Sequence, residues 1–227
     1  MPGRKSQRLS RRTRAARSGP LPTVPGGIPA ASLFMPQGYE PGYDYPLLVW
    51  LADDGGFDLG RVMTRTSLRN FVAVQPHLAA TADVEESVWQ AIDQVCDRAS
   101  IHRDRLFLVG RGPRGTDAFR IACRHADAFA GVVSIGGGFP LEETAFARLR
   151  AVRRLPMLLC CQADAAVAAA RHTDRTLRLF HAAGAMLGMR IYPGVQDLSR
   201  PVLADVNRWI MDEICGPRPA VESECPL

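Results

Sequence analysis

Short, almost wholly apolar runs recur along this chain, and they constrain its fold more than any other feature. They are "PLLVWLA" (46–52), "FVAVQ" (71–75), "RLFLVG" (105–110), "GVVSIG" (131–136) and "LPMLLCC" (155–161). Each has strand length and no polar alternation, so neither of its faces is suited to water. Strands of that kind belong inside a mostly parallel sheet covered on both sides. The segments between them read as helices. Over 84–98, Val84, Val88, Ile92, Val95 and Cys96 fall on one face. Asp83, with Glu86 three residues later, supplies a start signal. Further helices are expected over 115–126, near 142–152 and over the Ala-rich stretch 166–184. Pro201 opens a last one that runs to Cys215 and packs Val202, Val206, Trp209 and Ile210. "ASLFM" (31–35) and "GMRIY" (188–192) are shorter strands. The expected class is therefore α/β: a mostly parallel central sheet of about seven strands with helices on both faces. Ligand sites in such sheets form beyond the carboxyl ends of the strands. The residues to watch lie just after 51, 75, 109, 135, 161 and 192.

Length and charge limit the rest. At 227 residues and 47% hydrophobic content the chain suits one domain with tails. The expected division is a basic, Pro-rich, disordered arm over 1–28, a folded domain over 29–215 and a frayed tail over 216–227. The net charge of +5 is a property of the arm. Its first 18 residues hold seven basic side chains and no acid, which leaves 21 basic against 23 acidic groups elsewhere. The arm is thus the one segment suited to nucleic acid or an acidic partner, and a plain solvated terminus is the alternative. Arg11-Arg12 is followed by "GPLPTVPGGIP" rather than an apolar stretch, which argues against an export signal. No run is apolar for the length of a membrane span. The six cysteines form no Cys-x-x-Cys pair and read as buried, reduced thiols of a cytoplasmic protein. No cofactor is expected.

Two segments carry a family resemblance. "MPQGYEPGYDYPLLVWLADDGG" (35–56) and "DRLFLVGRGPRGTDAFRIACRHADAFAGVVSIGGGFP" (104–140) resemble the α/β-hydrolase fold in its esterase and carboxylesterase (phospholipase/carboxylesterase-like) branch. "LPMLLCCQADAAV" is similar to that family's acid-bearing strand, and "IYPGVQD" to its last strand and histidine loop. The resemblance covers about 30–215 in the right order. It implies a sharp strand-to-helix elbow carrying Ser, followed along the chain by Asp or Glu and then His.

Carried over residue by residue, most of that machinery is missing. The nucleophile position falls on Gly112, which has no side chain. The next position, whose backbone N–H helps bind the oxyanion, is Pro113, which has none. Arg114 stands where a small residue is usual, so the turn is expected to be rearranged as well as empty. The other oxyanion positions fall on Ala52, Asp53 and Asp54. A carboxylate 4 Å from a developing oxyanion would oppose it by about 4 kcal/mol at an effective dielectric of 20. The acid position keeps Asp164. The base position falls on Gln196, or on Val195, and glutamine cannot take up a proton near neutral pH. The resemblance therefore implies vestigial triad positions at Gly112, Asp164 and Gln196.

Substitute machinery is thin. His77 follows "FVAVQ" at a carboxyl end, whereas His102 precedes a strand and His125, His172 and His181 fall on or near helices. Ser134 lies inside a strand. Cys160 or Cys161 as a nucleophile would need a neighbouring base. Asp53, Asp54, Asp164 and Asp197 could gather oxygen ligands for a hard cation, yet Asp-Asp-Gly-Gly is equally a polar turn, and no metal is expected. Arg111 and Arg114 are placed to pair with these aspartates. The turn 110–115 lacks the Gly-Lys-Ser/Thr of a phosphate loop. The expectation is an esterase-like fold without serine-hydrolase activity. Its cleft edge would be formed by Asp53, Asp54, His77, Arg111, Arg114 and Asp197, and its partner would be an unidentified small molecule or protein. The competing expectations are a hydrolase with relocated catalytic residues and a protein that acts through its basic arm.

Overall fold

The computed structural model describes residues 32–53, 55–78, 83–138, 152–163, 178, 181, 184–194 and 198–216. Seven strands form one sheet: β1 (Ser32–Phe34), β2 (Tyr45–Leu51), β3 (Val72–Gln75), β4 (Ile101–Arg111), β5 (Gly131–Ile135), β6 (Met157–Gln162) and β7 (Leu187–Tyr192). Their order is β1-β3-β2-β4-β5-β6-β7. Only β1 is antiparallel to its neighbour; the pairs from β3 to β7 are parallel. The central strands are buried as the apolar runs require, with every residue of β2 and β5 enclosed.

Successive residues of these strands serve opposite cores, as the pleat dictates. Leu47, Val49 and Leu51 of β2 join Leu106 and Leu108 of β4 on one face, under α2 (Val84–Cys96) and α3 (Pro113–Arg124). Leu48 and Trp50 join Phe107 and Val109 on the other, under α1 (Leu59–Thr66) and α4 (Arg200–Cys215). The register that aligns Leu48 with Phe107 and Val49 with Leu108 keeps both faces continuous. In α4, Val202, Val206 and Ile210 are buried as the spacing predicts, and Leu203 joins them. Asp83 caps α2 as expected, accepting from Glu85 N at 2.9 Å.

Several expectations need correction. Strand β4 begins at Ile101, not near 105, so His102 lies within it rather than ahead of it. Helix α3 begins at Pro113, not 115, because proline's fixed φ and missing N–H suit a first helical position. Helix α1 was not anticipated. Its signals are Asp58, which accepts from Arg61 N at 3.0 Å, and buried Leu59, Val62, Met63 and Thr66 at helical spacing. Of the six cysteines, Cys215 is exposed and Cys96 is only partly covered. The helix near 142–152 and the one over 166–184 fall almost wholly outside the described residues, as do the arm over 1–28 and the tail beyond Gly216.

Candidate functional site

The strand-to-helix turn after β4 is the best-defined feature of the carboxyl edge. β4 ends at Arg111, Gly112 takes φ 57° and ψ −134°, and α3 starts at Pro113. A residue with a Cβ is strained at that φ, whereas glycine is not. Gly112 N donates to Ile135 O at 2.8 Å, and Gly115 N donates to Gly112 O at 2.9 Å. Close backbone contacts fix the turn. A Cβ added to Gly110 would lie 2.3 Å from Arg114 O and 2.5 Å from Gly115 Cα. One added to Gly115 would lie 2.3 Å from Ser134 Oγ, and one on Gly137 would lie 2.5 Å from Gly112 O. Around Gly112 the reverse holds, with no heavy atom within 4 Å of an added Cβ. The expected rearrangement is therefore absent. Gly110 and Gly115 supply the close strand–helix approach, and the Arg114 side chain leads away from it to Asp53 and Asp117.

Asp53 lies just beyond β2, after the buried Ala52. Its Oδ1 accepts from Arg114 Nε at 2.7 Å. Arg114 Nη1 also donates to Asp117 Oδ2 at 3.1 Å, and Arg120 Nη1 donates to Asp117 Oδ1 at 2.8 Å. Partial burial works against the charged Arg114, but the hydrogen bonds to Asp53 and Asp117 outweigh it and raise its pKa. The pairing of Arg114 with an aspartate thus matches expectation. With Asp53 60% exposed, the contact stabilises by no more than about 1 kcal/mol. Its effect is positional: it ties the loop after β2 to the first turn of α3.

The other expected residues are scattered. His77 is exposed beyond β3, and β2 separates β3 from β4. Two strand spacings, roughly 10 Å between backbones, separate its strand from the elbow's. Burial pushes the Cys160 thiol up to about 12, and it raises the Cys161 thiol too. Both therefore stay protonated near neutral pH, which removes their nucleophilicity. Ser134 is fully buried, its Oγ has no hydrogen-bond partner and it packs against Gly115. His102 is half-buried in β4, His125 pairs with Glu85 beside Trp89, and His181 is exposed. Asp54, Asp164, His172, Val195, Gln196 and Asp197 lie outside the described residues. Among the described residues, no group of three His, Cys, Asp or Glu side chains is placed to hold a metal ion.

Beside the elbow lies an open crevice of about 470 Å³, bordered by Asp58, Arg61, Arg65, Arg111, Gln162 and Leu198. It sits beyond the carboxyl ends of β4 and β6, where parallel sheets place their ligands. Arg111 was expected at this edge. Arg61, Arg65 and Gln162 were not, because two of them belong to the unanticipated α1.

Strand order, elbow and crevice together define a class: the chain has the α/β-hydrolase fold. No protein-family model and no curated protein matches its sequence. Solved esterases do match it in shape. A thermostable esterase superposes with a TM-score of 0.63 at 16% identity, over 80% of this chain and 58% of the esterase. This chain thus spans little more than half the length of that protein. A ferulic acid esterase gives 0.62 at 14% identity, over 81% of this chain and 91% of its own. The Bacillus cereus carboxylesterase gives 0.57 at 11% identity, over 81% and 94%.

Proposed function

We propose that this chain is an esterase-like α/β-hydrolase-fold protein that binds a small molecule at its crevice and does not hydrolyse esters. One observation carries the reading. The turn that would hold a serine is built and open, yet its tip is Gly112 followed by Pro113. The first has no nucleophile, and the second has no N–H to offer an oxyanion. Loss of the triad lowers kcat by up to about 10⁶ in a serine enzyme. An oxyanion hole could recover part of that loss, but the residue after Gly112 offers it no N–H, and Asp53, paired with Arg114, places a carboxylate on the loop after β2.

Relocated machinery has no support among the described residues. His77 is exposed two strands from the elbow's strand with no described partner there, and Cys160 is held protonated. The five described cysteines are all unpaired, which agrees with action in the cytoplasm, and no described helix is long and apolar enough to cross a membrane. The test is hydrolysis of 4-nitrophenyl acetate and butyrate by the full chain. The expected rate equals that of a Gly112→Trp variant. Turnover well above that variant overturns the proposal.

A further inference from the structure

We infer that the crevice takes a small polyanion, a molecule carrying at least two negative charges on phosphate or carboxylate groups. This deepens the binding role proposed above and rests on it. Arg61 and Arg65 stand four residues apart on α1, so their side chains share one helix face. Both border the 470 Å³ crevice together with Arg111. Arg65 also borders an adjoining hollow of about 400 Å³, along with Thr64 and Arg200 from the start of α4. Arginines from α1, β4 and α4 therefore line two hollows that share Arg65.

Some arginines elsewhere on the molecule are neutralised. Arg114, Arg120 and Arg208 each meet a carboxylate at 2.7 to 3.3 Å, and Arg124 pairs with Glu85. Among the described residues, none pairs with the Arg61, Arg65 or Arg200 guanidinium. Among the described residues Asp58 is the carboxylate bordering the crevice, and its Oδ1 is committed to the α1 backbone at Arg61 N. Positive charges held within a Debye length of one another, about 8–10 Å, repel, and a multivalent anion relieves that repulsion. The planar guanidinium fork fits two oxygens of a phosphate or carboxylate. A volume of 470 Å³ suits a small metabolite, with Val62 and Leu198 offering an apolar wall to its carbon skeleton.

The experiment is calorimetric titration of the full chain with pyrophosphate and with citrate, at two chloride concentrations. Three variants are compared: Arg65→Gln, Arg61→Gln/Arg65→Gln, and an arm variant with Arg4, Lys5 and Arg8 all changed to Gln. Arg61 and Arg65 are exposed, so the folded state tolerates these changes, and circular dichroism verifies it. Saturable binding of at least one probe is expected, weaker at high chloride. Arg65→Gln should weaken it at least about tenfold, and the double variant more. The arm variant should bind as the wild type does. The stronger of the two probes tells phosphate from carboxylate chemistry. The inference falls if neither probe binds, if the crevice variants bind normally, or if only the arm variant loses binding. These results are independent of ester turnover: failed binding with no hydrolysis rejects the polyanion alone, whereas hydrolysis rejects the non-catalytic role.

Discussion

The base of the elbow and its tip stand a few residues apart and obey opposite rules. At the base, Gly110 and Gly115 bring strand and helix so close that added Cβ atoms would fall 2.3 Å from their neighbours. At the tip, an added Cβ at Gly112 would meet nothing within 4 Å. The base has kept the geometry needed to present a side chain. The tip has kept the room for one and carries none. Tight packing and open space thus meet within a single turn. The base is held by packing, which any stable version of the fold must satisfy. The tip is free of that packing.

Stability measurements can break that comparison. Gly110→Ala places its methyl against the Arg114 and Gly115 backbone, which cannot give way cheaply, and it should lose about 3 kcal/mol or fail to fold. Gly112→Ala adds only the strain of φ 57° and should lose about 1–2 kcal/mol in urea denaturation. Equal losses at the two positions would mean that base and tip are packed alike. Arg114→Ala should lose about 1 kcal/mol or less, since the pair it breaks is largely exposed.

An effect confined to alkaline pH is expected from the buried thiols on the framework side. Burial pushes the Cys123 and Cys160 thiols up to about 12, against 9.0 for a free thiol. Their folded-state pKa values lie above the unfolded one, so their contribution is fully present below pH 9 and is lost as pH rises toward 12. Denaturation midpoints should fall over that range. They should fall less in a Cys123→Ala/Cys160→Ala variant compared at the same pH values.

Much of the fold was legible because its strongest signals are local. The apolar runs in β2, β4, β5 and β6 gave the parallel core directly, and Asp83 marked the start of α2. Helix α1 was missed although Asp58, Leu59, Val62 and Met63 carry its cap and apolar face, since it is short and interrupted by exposed arginines. Missing α1 hid Arg61 and Arg65, and with them the charge of the crevice. The strand-to-helix turn at Gly112 was legible from the motif. The sound geometry beneath it was not, because it depends on tertiary contacts from Gly115 to Ser134 and from Gly137 to the Gly112 carbonyl. The tie between Arg114 and Asp53 was foreseen as charge pairing, but not its link to Asp117 on α3.

The absence of an elbow nucleophile is tested most directly by intact mass after treatment of the full chain with a fluorophosphonate. Such a reagent reports an activated serine without requiring a known substrate. Unchanged mass after prolonged exposure is the predicted result. A stoichiometric adduct that maps to a single serine would contradict it, and would mean that this fold has rebuilt its nucleophile away from Gly112.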